Sequence, residues 1–331
     1  MSIVAGDTWT RAEDRSVVGA LRKTATTLAA TAGFSSVRTE EMAIAVSEAV
    51  SNLVKHATEG TVLLRAHPES AAAIEFVAID KGPGISDFAQ VLRDGHSTVG
   101  TLGIGLGAMS RLASRHDVYS VPGKGTVLTM HFWADGASPP PLRSSGLTRP
   151  IGEETVCGDS FAAVETGTGT TVVLCDGLGH GYLAAEASRE AMRVFRQMPD
   201  LAPAEILERV HRGLGHTRGG AIAIARVGRD EVSFAGLGNV AGWIVHGPQR
   251  QGMVSLPGIA GHHGRRPRQF EYPLPAGASV VLHSDGLTSR WNPATMPGLF
   301  ARSPSVISAT LLREAGSRRD DACVVTVKAA S

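Results

Sequence analysis

Four acidic positions, far apart in the chain, share one local setting that suits hard metal ions. Residues 172–181 read Val-Val-Leu-Cys-Asp-Gly-Leu-Gly-His-Gly. A β-branched apolar run, the signature of a buried strand, stops at Asp176 and passes through glycines 177, 179 and 181 into a stretch with helical periodicity. Asp159 stands in Gly158-Asp159-Ser160 before a short apolar run, Asp285 closes the strand-like segment 279–284, and Asp320-Asp321 precede Cys323-Val324-Val325-Thr326-Val327. One Asp-Gly after a strand is an ordinary turn; its recurrence argues for a site. Carboxylates at strand ends can meet on one rim of a sheet, where their like charges are tolerable only beside cations. Two divalent ions answer that requirement, and Gly177 leaves a backbone carbonyl unshielded next to them. Zinc is excluded, because Cys157, Cys175 and Cys323 are isolated and form no Cys/His ligand pair.

A second group of residues points to phosphate. Gly103, Gly105 and Gly107 open a predicted helix, where backbone N–H groups and the positive helix end can face an anion. Their spacing is neither the dinucleotide fingerprint nor a P-loop. Upstream, Glu48 and Asn52 lie about one turn apart on an otherwise apolar helix, and Asp80-Lys81-Gly82-Pro83-Gly84 ends a predicted strand.

The elements that must position these residues follow from periodicity and punctuation. Helices are predicted at 11–32, 38–57 and 103–114, with strands at 61–66, 73–79, 117–121 and 125–133. Residues 134–150 carry three consecutive prolines among Gly, Ser and Ala and read as a linker. Beyond it, helices are predicted at 182–198, 202–214 and 305–314, and strands at 221–227, 231–234 and 241–245. The basic run 262–268 reads either as a solvated loop or as a docking site for an acidic or phosphorylated partner. His180 is either a helper at the acidic site or a structural turn residue.

Taken together and in order, Gly158-Asp159-Ser160, residues 176–181, Ser284-Asp285-Gly286 and Asp320-Asp321-Ala322-Cys323 resemble the metal motifs of the PPM family of metal-dependent serine/threonine phosphatases, in its bacterial SpoIIE/RsbX-like branch. The family's last motif reads Asp-Asp-x-Thr; Cys323 stands in the place of that Thr, which leaves Asp320 and Asp321 as alternative ligands, with Asp320 favoured by its place in the motif. The resemblance implies that Asp159, Asp176, Asp285, Asp320 and the Gly177 carbonyl hold two Mn²⁺ or Mg²⁺ ions. Residues 48–52, 80–84, 103–107 and 125–126 resemble the N, G1, G2 and G3 boxes of the GHKL (Bergerat) ATPase fold, most closely its RsbT/RsbW-like serine kinases. By that resemblance the first half binds ATP with Mg²⁺. Asp80 would accept the adenine amino group, Asn52 would ligate Mg²⁺, Gly103, Gly105 and Gly107 would hold the triphosphate, and Glu48 would be the catalytic base; Gly82, Gly84 and Thr126 complete the nucleotide site.

The expectation is therefore an α+β protein of two domains: a GHKL α/β sandwich at 1–135, a linker at 136–149 and a PPM α-β-β-α sandwich at 150–331. Both resemblances imply a signalling switch acting on a STAS-domain anti-sigma antagonist or stressosome-type partner. The alternative is a non-catalytic nucleotide-sensing or partner-binding module that regulates an active phosphatase. Composition agrees: 331 residues suffice for two cores, and 43% hydrophobic with 19% charged residues is ordinary for a globular chain. A net charge of +1 provides no field for nucleic acid. No run of 18 apolar residues and no signal-like N-terminus occur, so no membrane partner and a cytoplasmic location are expected.

Overall fold

The computed structural model describes residues 7–67, 70–85, 106–137, 139–262 and 266–329. They divide into two compact units, Thr8–Pro141 and Leu142–Ser331, the second also taking in Asp7.

The first unit is an antiparallel sheet with helices on one face. Strands β1 (Trp9–Arg11), β2 (Thr61–His67), β3 (Ser70–Ile79), β4 (Arg115–Val121) and β5 (Gly125–Trp133) lie in the order β1-β2-β3-β5-β4. Alternation along β3 and β5 turns Ile74, Phe76 and Ala78, with Leu128, Met130 and Phe132, towards the helices. Helix α2 (Ser36–His56) answers with Met42, Val46, Ala49, Val50 and Leu53. Its N-cap is Ser35, whose hydroxyl accepts the Arg38 N–H. The Arg38 guanidinium then donates to the Leu112 carbonyl at 2.7 Å and to Ser114 Oγ at 2.6 Å. This ties the end of α3 (Leu106–Leu112) to the start of α2. Helix α1 (Ser16–Thr31) begins later than its periodicity predicts, because residues 9–11 pair with β2 as an edge strand.

The second unit stacks two sheets between helices. One sheet runs in the order β13 (Ser255–Leu256), β10 (Glu231–Leu237), β9 (Gly220–Val227), β8 (Gly169–Gly177), β7 (Asp159–Thr166), with β14 (Phe270–Pro273) also on β10; the other runs β12 (Gln249–Met253), β11 (Ala241–His246), β15 (Ser279–His283), β16 (Ala322–Lys328), β6 (Ser144–Arg149). Their facing surfaces interdigitate through Val172, Leu174, Phe234, Val280, Leu282 and Val325. Alternate residues of β8 (Gly169–Gly177), Val173 and Cys175, point the other way and pack on Phe195 of α4 (Tyr182–Arg196) and on Ile206, Leu207 and Val210 of α5 (Pro203–Gly213). Helix α6 (Pro304–Ala315) lies on the other sheet, where Ser308 Oγ is within hydrogen-bond distance of the Ser145 carbonyl at 2.9 Å and of Thr326 Oγ1 at 2.8 Å. The chain is thus a two-domain α+β protein, an α/β sandwich followed by an α-β-β-α sandwich.

One stretch of the expected linker is structured differently. Ser144–Arg149 is strand β6, an edge strand paired along β16 (Ala322–Lys328) from Ser144↔Val327 to Arg149↔Ala322. Its short polar residues look like linker, but they are the ones a crowded edge accepts: a Cβ on Gly146 would stand 2.7 Å from the Phe161 ring. Asp7 joins the same strand by reciprocal bonds, its N–H to Thr148 Oγ1 and its carboxylate to the Thr148 N–H. Leu147 of β6 is fully buried. Leu147→Ala is therefore expected to cost about 2–5 kcal/mol, measured by denaturant unfolding. An unchanged midpoint would mean that residues 144–149 behave as linker.

Candidate functional site

The second unit gathers its acids by strand register. Asp159 opens β7 (Asp159–Thr166), Asp176 is the penultimate residue of β8, and antiparallel pairing places the two directly opposite each other. From the other sheet, Asp285 leaves the turn after β15 (Ser279–His283) and Asp320 lies just before β16. Asp176, Asp285 and Asp320 line a cavity of about 640 Å³, together with Gly179, Asn239 and Ile259. Asn239, which no sequence signal singles out, donates its amide N–H to Asp285 Oδ2.

Asp321 has a different part from its neighbour. It is buried, and its two carboxylate oxygens accept the Ile151 and Gly158 N–H groups, each at 2.8 Å. Asp320 is exposed on the cavity and accepts the Asp321 N–H at 2.9 Å. One acid of the pair ties the strand ends together; the other faces the open space.

Close packing demands the glycines beside these acids. A Cβ on Gly177 would lie 2.2 Å from the Ala184 carbonyl, and one on Gly286 would lie 1.9 Å from the Asp321 carbonyl. His283 supports the Asp285 turn from behind. Its Nε2 accepts the indole N–H of Trp243 at 3.2 Å and lies 3.5 Å from that of Trp291, so Nδ1 carries the proton and donates to the Ser284 carbonyl at 2.8 Å. The Arg250 guanidinium covers both indoles, 4.1 and 4.6 Å from the ring centroids.

Burial and mutual repulsion raise the carboxyls of the cluster. Burial, then Asp176, pushes the Asp159 carboxyl well above the usual range against an opposing hydrogen bond from Ser284, and its Oδ2 is buried without a partner. Asp176 is pushed up to about 8 by burial, then by Asp285 and Asp320. Asp285 is raised by burial and by Asp320. Among the described residues no three acidic, histidine or cysteine side chains already form a closed metal cage. The donor set nonetheless fits hard divalent ions, which bind through a few carboxylates, a carbonyl and retained waters. His180 is exposed and is not a lining residue of the cavity; its Nδ1 lies 2.7 Å from Glu154 Oε1.

In the first unit, Asp80 follows β3 and is buried, with Oδ1 accepting the Gly82 N–H at 2.7 Å. Its own N–H donates to the Thr126 carbonyl at 3.0 Å, so two of the expected nucleotide residues meet. Gly84 has φ +71°, and a Cβ there would lie 2.4 Å from the Val121 carbonyl. Gly125 is a further requirement of this corner, since a Cβ on it would stand 2.1 Å from the Asp80 carbonyl. Glu48 and Asn52 are half-buried on α2. Gly107 is buried on α3, whereas Gly103 and Gly105 lie outside the described residues.

Two family models match the chain in tandem: "Histidine kinase-like ATPase domain" over residues 10–132 and "Stage II sporulation protein E (SpoIIE)" over residues 166–330. Serine/threonine-protein kinase RsbT of Bacillus subtilis (strain 168) is 33% identical over 102 residues, 30% of this chain and 77% of RsbT. Phosphoserine phosphatase RsbX of the same organism is 27% identical over 175 residues, 51% of this chain and 85% of RsbX. Among solved structures, a chain from work on the bacterial stressosome, described as a modular system adapted to control secondary messenger signaling, aligns with a TM-score of 0.52 and 24% identity. It covers 56% of this chain and 97% of that one, a likeness of fold alone.

The raised carboxyl of Asp176 sets a pH dependence. In the unfolded chain it ionises near 4, so between about 4 and 8 the unfolded state has lost a proton that the folded state keeps, and stability falls as pH rises. Thermal unfolding in chelator is expected to show that decline. Mn²⁺ should reverse it, and Asp176→Asn should flatten it. A chelator curve that is flat or rises from pH 5 to 8 would contradict this electrostatic account. Asp321→Asn should lower the melting temperature more than Asp320→Asn, because only the former disturbs two backbone hydrogen bonds between strand ends.

Proposed function

We propose, for a chain that belongs to the RsbT-like ATPases through its first unit and to the SpoIIE/RsbX-like PPM phosphatases through its second, that it both phosphorylates and dephosphorylates serine or threonine on a STAS-domain regulator of a stressosome or sigma-factor pathway. The observation that carries the phosphatase half is the meeting of Asp159, Asp176, Asp285 and Asp320 at the ends of two stacked sheets, with an orphaned carboxylate oxygen on Asp159.

In this reading those four acids and the Gly177 carbonyl hold two Mn²⁺ or Mg²⁺ ions, which supply an activated water and neutralise phosphate charge. The chain's own contribution is placement. Register sets Asp159 against Asp176, Asp321 ties the strand ends, and Asn239 holds one oxygen of Asp285. In the ATPase half, Asp80 accepts the adenine amino group beside Thr126, Gly82 and Gly84 shape the adenine corner, and Gly103, Gly105 and Gly107 cradle the triphosphate. Asn52 orients Mg²⁺, and Glu48 takes the proton of the incoming hydroxyl.

A phosphoserine peptide from a STAS domain should be hydrolysed with Mn²⁺ or Mg²⁺ and not in chelator. Asp176→Asn or Asp285→Asn should lower turnover by about 100-fold or more. Full turnover in excess chelator would refute the assignment. For the other half, Asp80→Asn should weaken ATP binding in calorimetry, whereas Glu48→Ala should bind ATP yet transfer no phosphate. Binding without transfer in the unaltered protein would favour the nucleotide-sensing alternative.

A further inference from the structure

Among the described residues, those lining the cavity bordered by Asp176, Asp285 and Asp320 include no Lys, Arg or His. Four carboxylates and two divalent ions sum to zero formal charge. In the phosphatase reading, on which this inference rests, a phosphoryl dianion would enter a site with no net positive charge to receive it. A cation at the rim is therefore needed, and the fold supplies one.

Arg218 stands in Thr217-Arg218-Gly219-Gly220, the segment that enters β9 (Gly220–Val227) at the cavity, where Gly220 is a lining residue. Its guanidinium Nη1 lies 3.4 Å from where a Cβ on Gly179 would stand, and Gly179 also lines the cavity. The side chain is exposed and enters no ion pair among the described residues. Its backbone is held on several sides. The Leu178 N–H donates to the Gly219 carbonyl at 3.0 Å, the Gly219 N–H to Thr217 Oγ1 at 3.0 Å, and His262 Nε2–H to the Arg218 carbonyl at 2.8 Å. The flanking glycines keep the space clear. Gly179 has φ +89°, and a Cβ on Gly219, at φ +76°, would lie 2.2 Å from the Ala260 carbonyl.

We infer that Arg218 binds the phosphoryl group of the substrate and draws it to the acids of the cavity. A planar guanidinium with several donors matches phosphate oxygens bidentately, and an arginine without a carboxylate partner among the described residues gives up no such ion pair to do so. The segment is anchored to the loop carrying Leu178 and Gly179, so the backbone that carries the cation keeps its station relative to Asp176.

The test uses the full chain loaded with Mn²⁺. Steady-state hydrolysis of a phosphoserine peptide and calorimetric binding of inorganic phosphate are measured for the unaltered protein, Arg218→Ala, Arg218→Lys and Arg229→Ala. Arg229 is an exposed control beyond the far end of the same strand. Arg218→Ala should raise KM and weaken phosphate binding by a common factor, roughly 10- to 100-fold. Arg218→Lys should restore part of that loss, and Arg229→Ala should match the unaltered protein. The Mn²⁺ concentration for half-maximal activity and the Mn²⁺-induced rise in melting temperature should stay unchanged in Arg218→Ala, which a merely structural role would not allow. If the unaltered protein hydrolyses the peptide while Arg218→Ala stays within twofold in KM and in phosphate binding, Arg218 is not the phosphoryl ligand. An equal shift in the Mn²⁺ requirement would likewise overturn the inference, whereas an unaltered protein that is inert with Mn²⁺ would overturn the phosphatase reading beneath it.

Discussion

Mutual repulsion among carboxylates is the constraint on which the second unit depends. Asp159 and Asp176 face each other across adjacent strands, an arrangement that costs stability when both are charged. Burial raises the cost further, and Asp285 and Asp320 add charge from the other sheet. Nothing local would hold such a cluster together. It persists because each acid sits at the end of a strand whose remaining residues lie in the core between the sheets, where Val172, Leu174, Val280, Leu282 and Val325 contribute apolar burial that outweighs a few strained positions.

A second consequence concerns precision. Acids that would share cations must keep their separations to a fraction of an ångström, and flexible side chains do not do that unaided. Asp321 accepts two N–H groups from the segment leading into Asp159 and so locks two strand starts together. His283, wedged between two tryptophans and bonded to the Ser284 carbonyl, gives the Asp285 turn a rigid backing. Gly177 and Gly286 allow backbone to approach backbone where any side chain would force the strands apart.

The first unit solves a smaller version of the same problem. Asp80 also follows a strand, also has one oxygen engaged by a nearby N–H, and also depends on a glycine, Gly125, that lets another segment close over its carbonyl. A single buried acid needs no cation beside it. It needs donors of hydrogen bonds, of which the Gly82 N–H is one.

Local pattern was enough to single out most of these acids. Asp80, Asp176 and Asp285 are legible because an apolar run ends there and a glycine turn follows within a few residues, Asp159 and Asp320 because an apolar run begins just after them, and the helices predicted at 38–57, 182–198 and 305–314 occur at Ser36–His56, Tyr182–Arg196 and Pro304–Ala315. Tertiary structure decided whatever depends on segments far apart in the chain. Strand β6 has no hydrophobic alternation to announce it and exists because β16 offers a free edge. The division of labour between Asp320 and Asp321 rests on N–H groups more than 160 residues away. Asn239, His283 and Arg218 are ordinary polar residues in sequence; each acquires its place only when folding brings a distant partner, Asp285, Trp243 or Gly179, within reach. Periodicity records which face a residue turns to the core, but not which residue it will meet there, because register and sheet stacking are set by the sum of all pairings and not by any one segment.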